Sequence, residues 1–424
     1  MKVGIYTLGC KVNSYESEFV ADLFKKSGYE ICDFNSVCDI YVINTCTVTN
    51  GSDAKSRKII REAIRNNPSA CIVAMGCFIE SSKDNLIDGI NICIGNKDKS
   101  KIVELVESYM KEHVNINHIV ELDREFEDME IENFGSRTRA FVKVQDGCEN
   151  YCTYCIIPYV RGKCRSKKLD TVIEEVTKLV SNGYKEVVLT GIHTGSYGVD
   201  LGLDFSDLLE ALIKIDGLER LRISSIEATE LNSKVIDVIK NSKIICNHLH
   251  IPLQAGSDKV LKLMNRKYDL EYFKNKIEEI RNVKPDLAVS TDIIVGFPGE
   301  GEEEFLNTLK FSDEIKFSKI HVFPYSERRG TPSVKFKEKV SEQDKKDRVK
   351  RLISLSEKLE KEYMTKFIGR EVSVLIEEYK DGYSYGHTSN FLYVKVKGLF
   401  DKEEVIDVVV DSIEYPYVIG NKKN

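Results

Sequence analysis

The sequence predicts an α/β protein in three parts: a doubly wound parallel-sheet domain, a partial βα barrel of six strands, and a small carboxy-terminal β-barrel. Three observations predict it. Short apolar runs alternate with helical stretches across roughly the first hundred residues, a second alternation begins after an acidic break, and the chain turns β-rich near its end. The length of 424 residues agrees, since about 150 residues per domain gives roughly three domains.

The first part, residues 1–120, offers candidate strands at Lys2–Thr7, Ile40–Asn44, Ala70–Ala74 and Asn91–Ile94. Helix-compatible runs at Ser14–Lys26 and Asp53–Arg65 separate them. Strands that alternate with helices form a parallel sheet, and open sheets of this kind bind ligands at the carboxyl ends of their strands. Cys10, Cys46 and Cys77 each fall two or three residues after a predicted strand and so belong at that edge. Spacings of 36 and 31 residues would by themselves leave chance placement of buried thiols equally open. Cys32, Cys38, Cys71 and Cys93 precede or lie within strands and read as ordinary buried thiols, as do the unpartnered Cys164 and Cys246.

Glu121–Glu132 is acidic, lacks periodicity and reads as a connector. Residues 136–340 then offer strands at Ala140–Gln145, Glu186–Thr190, Arg220–Ser224, His248–Pro252, Ala288–Val295 and Ser318–Phe323, with helical candidates between them. Six strands make a barrel open where a full one has eight, with its chemistry on the loops after the strands. Residues 341–365 have the composition of a connecting helix. From residue 366 to 424, strands at Val372–Glu377, Tyr383–His387, Leu392–Val396 and Glu404–Val410 are broken by Asp381-Gly382 and Gly398, a pattern that suits a small nucleic-acid-binding barrel.

Composition narrows the class of function. No stretch reaches the ~18 uninterrupted apolar residues of a membrane span, and the start of the chain lacks the layout of a secretory signal, so a cytoplasmic protein is expected. The charge balance of 62 basic and 68 acidic residues, net -6, argues against a strongly basic nucleic-acid coat and leaves room for a local basic surface. Twelve cysteines in a reducing compartment point to metal binding or catalysis wherever they cluster.

They cluster most tightly at Cys148-Glu149-Asn150-Tyr151-Cys152-Thr153-Tyr154-Cys155, a C-x3-C-x2-C loop directly after the first barrel strand. Three thiolates on a four-iron cluster leave one iron open, and that iron can bind the amino and carboxylate groups of S-adenosylmethionine (SAM). An electron passed into the sulfonium then breaks a carbon–sulfur bond and gives a 5'-deoxyadenosyl radical, which side chains alone cannot supply. Zinc is the other reading of three cysteines, disfavoured because the usual pair of C-x2-C knuckles is missing.

The loop resembles the radical SAM superfamily. Together with Gly9-Cys10-Lys11-Val12-Asn13, Asn44-Thr45-Cys46-Thr47 and Ala74-Met75-Gly76-Cys77, the chain resembles the methylthiotransferases over essentially its whole length, the terminal barrel being of the TRAM type. That resemblance implies two [4Fe–4S] clusters, one held by Cys148, Cys152 and Cys155 and an auxiliary one by Cys10, Cys46 and Cys77. The Gly-Cys-Lys-Val-Asn wording resembles the branch that converts N6-threonylcarbamoyladenosine, at position 37 of tRNA, to its 2-methylthio derivative. Gly-Cys-Gln-Met-Asn, the isopentenyladenosine wording, is the alternative within the family, and a noncatalytic RNA-binding protein with structural zinc is the alternative outside it. The implied chemistry uses SAM twice, once to methylate sulfur on the auxiliary cluster and once to make the radical that activates C2 of the adenine.

Further partners implied are the tRNA anticodon stem-loop, an electron donor such as a flavodoxin or ferredoxin, and a sulfur donor that the sequence does not name. The strand-end residues Thr190, Gly191, Ser224, Glu227, Gln254 and Gly296 resemble family segments around SAM. Leu189-Thr190-Gly191-Ile192-His193 stands where many radical enzymes carry Gly-Gly-Glu. His193 and His250 read as hydrogen-bonded supporting residues. Two basic runs offer phosphate contacts: Arg161, Lys163, Arg165, Lys167 and Lys168, and the helix bearing Lys55, Arg57, Lys58, Arg61 and Arg65. The terminal barrel holds eight basic and ten acidic residues from Lys366 onward, so any RNA role needs a local patch. Tyr383, Tyr385, Phe391 and Tyr393 are its candidates for stacking on bases.

Overall fold

The computed structural model describes residues 1–83, 85–131, 134–135 and 137–423. Six parallel strands form the first sheet, in the order Glu30–Cys32, Lys2–Thr7, Ile40–Thr45, Cys71–Gly76, Ile92–Ile94 and Ile116–His118. The two central strands, Ile40–Thr45 and Cys71–Gly76, are buried at every position, because helices cover both faces. Strand order reverses between Lys2–Thr7 and Ile40–Thr45, which opens a crevice at their carboxyl ends. Cys10 and Cys46 follow those two strands, and Cys77 follows the next one.

Each of these cysteines also lies near the start of a helix. Cys10 is the N-cap of Lys11–Lys26 and Cys77 opens Cys77–Ser81, while Cys46 precedes Asn50–Asn66, whose Thr49 cap accepts a hydrogen bond from the Ser52 amide. Helix N-termini carry partial positive charge, which favours thiolate.

The middle of the chain forms two three-stranded parallel sheets, Arg220–Ile223 with Glu186–Thr190 and Arg139–Lys143, and His248–His250 with Ala288–Val295 and Lys319–Pro324. A parallel bridge between Ser225 and His250 joins them into one six-stranded open barrel. The helix Glu342–Thr365 covers the last strand, where the Ser356 hydroxyl accepts from the Ile320 amide at 2.9 Å. The terminal strands close a five-stranded barrel in the order Glu371–Lys380, Tyr383–Thr388, Tyr393–Lys397, Tyr417–Lys422, Val405–Glu414. Its fifth strand, Tyr417–Lys422, and the sheet-edge strands Glu30–Cys32 and Ile116–His118 extend the sequence-based assignment.

The acidic connector is built into the structure. Met129 and Ile131 are buried, and the Met129 carbonyl accepts from the Tyr15 hydroxyl and from Lys167 Nζ. Its last residue, Glu132, lies outside the described residues. One apolar core therefore runs from a face of the first sheet through Met129 and Ile131 into the barrel. A second join is polar: Arg328, from the loop after the last barrel strand, donates to Thr47 and Asp53 at 2.7 Å each and to Asn50 at 2.9 Å. That join fixes the segment carrying Cys46 against the barrel.

Candidate active site

The C-x3-C-x2-C loop is closed at its base by a short antiparallel pair, Gln145–Asp146 with Arg165–Ser166. Gly147 makes the closure possible. Its φ is +76°, and a Cβ there would fall 2.0 Å from the Lys163 carbonyl oxygen, so no larger residue fits. The Cys148 amide donates to the Gly162 carbonyl, and the Thr153 hydroxyl and amide donate to Leu263 and Met264. Arg266 donates to Cys152 Sγ at 3.3 Å and is itself held by Glu227 and the Tyr268 hydroxyl. His193 meets Glu230 at 2.7 Å; burial works against its charged form, but hydrogen bonds to Cys148, Cys164 and Glu230 outweigh that and raise its pKa.

The second trio adjoins the first. Gly9, with φ +101°, brings its loop so close that a Cβ would lie 3.1 Å from Cys46 Sγ. Asn13 ties the loops together by donating to the Leu8 and Thr45 carbonyls at 2.7 and 3.0 Å, and the Thr45 hydroxyl donates to Met75 at 2.6 Å. Cys77 packs on Ile156 and Val160, which follow the last cysteine of the barrel loop.

Arg161 links both trios. Fully buried, its guanidinium donates to Cys77 Sγ at 3.3 Å, Asn13 Oδ1 at 2.8 Å, Glu16 at 3.0 Å and Asp146 at 3.1 Å. Lys99 and Lys143 also meet Glu16, and Lys143 and Arg165 meet Asp146. Burial alone would raise the Glu16 and Asp146 carboxyls, but these cations hold both well below the usual carboxylate range.

The expectation that Arg161, Lys163, Arg165, Lys167 and Lys168 form a phosphate-binding run is therefore corrected. Arg161 and Arg165 are buried in this network and Lys167 is buried on Glu175 at 2.7 Å, leaving Lys163 and Lys168 exposed. On the other basic segment Lys55, Lys58, Arg61 and Arg65 are exposed, and Arg57 lies over the Phe78 ring.

The donor sets suit iron–sulfur clusters. A single tetrahedral ion bound at about 2.3 Å would hold thiolates about 3.8 Å apart. Among the described residues neither cysteine trio brings its sulfurs within 4.8 Å of one another, whereas a cluster places each ligand on a different iron and needs the wider spacing. Charge agrees. Four buried cations (Lys99, Lys143, Arg161, Arg165) face two carboxylates (Glu16, Asp146), a surplus of two that coordinated thiolates beside Arg161 would offset. Three of these thiols resist ionisation while free: burial raises Cys10 and Cys46, and burial with neighbouring Cys152 lifts Cys155 to about 12. Metal coordination is what deprotonates such groups.

A cavity of about 240 Å³ is lined by Val48 and Thr49 from the segment after Cys46, by Tyr154 and Cys155 of the barrel loop, and by Gln254, Asp292 and Ile294 of the barrel. Of the residues expected around SAM, Gln254 faces this cavity and Glu227 lies beside Cys152 and Arg266 in a small neighbouring cleft. Thr190 ends its strand buried, Gly191 packs on Gln145, and the Ser224 hydroxyl meets Thr194 at 3.4 Å. Gly296 lies against Lys345 and donates its amide to Glu300. His250 shares the Ser290 hydroxyl with His248 and meets Asp292 at 3.3 Å.

Arg266 and Arg328 escaped sequence reasoning, and Arg161 was given the wrong role there. One signal was available: Glu16 shares the apolar helix stripe of Val12 and Phe19, and a carboxylate there demands a buried cation. Of the cysteines read as structural, Cys32 and Cys38 bring their sulfurs 2.6 Å apart.

Comparison with known proteins agrees with this geometry. Residues 142–312 match the Radical SAM superfamily and residues 2–95 match the Uncharacterized protein family UPF0004. The solved radical S-adenosylmethionine methyltransferase TsrM of Kitasatospora setae superposes with a TM-score of 0.57 over 78% of this chain and 76% of its own, at 13% identity. The fold and the cysteine loop are those of a radical SAM enzyme, a class whose cofactors are a [4Fe–4S] cluster and SAM.

A Bacillus subtilis (strain 168) protein named threonylcarbamoyladenosine tRNA methylthiotransferase MtaB is 45% identical, covering 99% of this chain and 95% of that one. A tRNA-2-methylthio-N(6)-dimethylallyladenosine synthase of Acetivibrio thermocellus is 35% identical, covering 88% and 79%. The chain belongs to the radical SAM methylthiotransferases.

Proposed function

We propose that this enzyme converts N6-threonylcarbamoyladenosine at position 37 of tRNA to 2-methylthio-N6-threonylcarbamoyladenosine. The observation that carries the chemistry is the 240 Å³ cavity lined both by Cys155 of the barrel loop and by Val48 and Thr49, just after Cys46; the relative at 45% identity supports the nucleoside. Cys148, Cys152 and Cys155 would hold one [4Fe–4S] cluster, and Cys10, Cys46 and Cys77 the second. When bound, the first supplies the electron that cleaves SAM and the second supplies the sulfur that is transferred.

The chain's own groups prepare the space between. Arg266, fixed by Glu227 and Tyr268, places a charged donor on Cys152. Arg161 ties Cys77 of one trio to Asp146 at the base of the other trio's loop through one guanidinium, which fixes the two loops relative to each other. The rings of Tyr154 and Phe323 with Ile294 give it an apolar wall, and Gln254 and Asp292 offer the polar contacts that orient a ligand. We assign SAM to the strand ends bearing Thr190, Gly191, Ser224, Glu227, Gln254 and Gly296.

We divide the chain into residues 1–120, 136–340, 341–365 and 366–424. Its partners are tRNA and a low-potential electron donor such as a flavodoxin or ferredoxin. No helix among the described residues is long and apolar enough to cross a membrane, and a cytoplasmic site of action fits a tRNA substrate.

Nucleoside mass spectrometry of tRNA, from a host lacking the modification and expressing this gene, tests the reading. The threonylcarbamoyl product is expected; a dimethylallyl product alone would overturn the substrate. Cys152→Ala is expected to abolish SAM cleavage, whereas Cys46→Ala keeps cleavage and loses methylthiolation. Full methylthiolation by Cys46→Ala would exclude the second cluster at that site.

A further inference from the structure

A larger cavity, of about 440 Å³, opens where the first domain, the central barrel and the terminal barrel meet. Its volume is that of a small-molecule site. It adjoins the reaction space at Asp292, which lines the cavity beside Cys155: His250, 3.3 Å from that carboxylate, and His321, within 4.8 Å of it, both line the larger space. A base placed between the trios would therefore extend its substituent into this second space.

Charged groups around it are almost all engaged. The Arg222 guanidinium is bound to Glu186 at 2.6 Å and to the Ser389 and Thr388 carbonyls, while Glu360 takes Lys319 at 2.5 Å. Lys11 is the exception. It lines the cavity, and among the described residues its ammonium makes no hydrogen bond or ion pair. It stands next to Cys10, so its position is fixed by the loop that the second trio requires.

We infer that Lys11 forms a carboxylate-binding subsite in this cavity and reads the free carboxylate of the threonylcarbamoyl group. The inference rests on the substrate reading above. A threonylcarbamoyl substituent ends in a carboxylate, which would pair the Lys11 ammonium, whereas a dimethylallyl group would leave it facing hydrocarbon. A site built around a charged partner rejects the ligand that lacks it far more strongly than an apolar pocket rejects an extra group.

The test uses the reconstituted full-length enzyme and three anticodon stem-loop RNAs, carrying threonylcarbamoyladenosine, its carboxylate methyl ester, or dimethylallyladenosine. For wild type, KM for the ester is expected to exceed that for the acid by about 10- to 100-fold, the worth of one charge-assisted hydrogen bond. Lys11→Gln is expected to raise KM for the acid by a similar factor, leaving kcat and the KM for the ester in place. In wild type, acetylation footprinting by mass spectrometry should show Lys11 protected by the acid RNA and not by the ester, a readout independent of how well the variant loads iron. Equal handling of acid and ester, or a Lys11 equally acetylated with both, overturns the inference while leaving the proposed function standing. Methylthiolation of the dimethylallyl RNA alone overturns both.

Discussion

At the scale of single residues, the decisive group is Arg161. Its buried guanidinium shares Glu16 and Asp146 with three further cations, and removing either anion leaves positive charge stranded in the core. Glu16→Gln is accordingly expected to destabilise the protein by about 3–5 kcal/mol, measured by denaturant unfolding. The sign of the pH dependence follows from the same contacts. The folded-state pKa values of both carboxyls are depressed, so their stabilisation is complete above the unfolded value of about 4 and is lost as pH falls towards the folded values. Glu16→Gln should flatten the decline in stability below about pH 4, which acid titration of unfolding would reveal. Cys148, Cys152 and Cys155 were legible from their spacing, and Cys10, Cys46 and Cys77 from strand-end positions, which alternation in sequence reveals, taken together with the family resemblance. Arg161 was not, because sequence shows that a residue is charged but not that it is enclosed, and its six-residue distance from Cys155 looks like any surface run.

At the scale of elements, turn chemistry decides. The loop of Cys148 closes only because Gly147 tolerates φ +76° with a carbonyl oxygen against its missing Cβ. Gly147→Ala is expected to open that base and prevent cluster assembly there, so that reconstituted iron drops from about eight to about four per chain. Iron analysis and visible absorbance check it. Retention of the full complement would mean that the loop assembles without the Gln145–Arg165 pairing. Long elements such as Ala288–Val295 were readable to the residue, since eight alternating or apolar positions leave little ambiguity. Glu30–Cys32 and Ile116–His118 were not: three residues are too few to display a period, and only pairing with a neighbour defines them. Tyr417–Lys422 was obscured by its Gly and Asn, residues that signal turns.

At the scale of the whole molecule, the parts are joined by arginines that grip across domain lines. Arg220 donates to the His387 and Ser373 carbonyls at 2.9 and 2.8 Å, beside Arg222 on the neighbouring loop, and Phe391 lies under Arg222 and against His248. Phe391, expected to stack on bases, is thus part of the joint, while Tyr385 and Tyr393 cluster with Tyr417. Arg220→Ala is expected to weaken docking of the terminal barrel by about 2–3 kcal/mol, seen as roughly 30- to 150-fold faster hydrogen exchange in Tyr383–Thr388. No change in exchange would assign the joint to Phe391 and the apolar contacts alone. On the terminal barrel these two arginines donate to four main-chain oxygens and one side-chain hydroxyl, that of Ser373, and every residue of any type offers such a main-chain oxygen. Away from this joint the terminal barrel can therefore change its surface sequence and still seat in register, provided its backbone keeps the Ser373 and His387–Ser389 carbonyls in place and the Phe391 ring stays under Arg222.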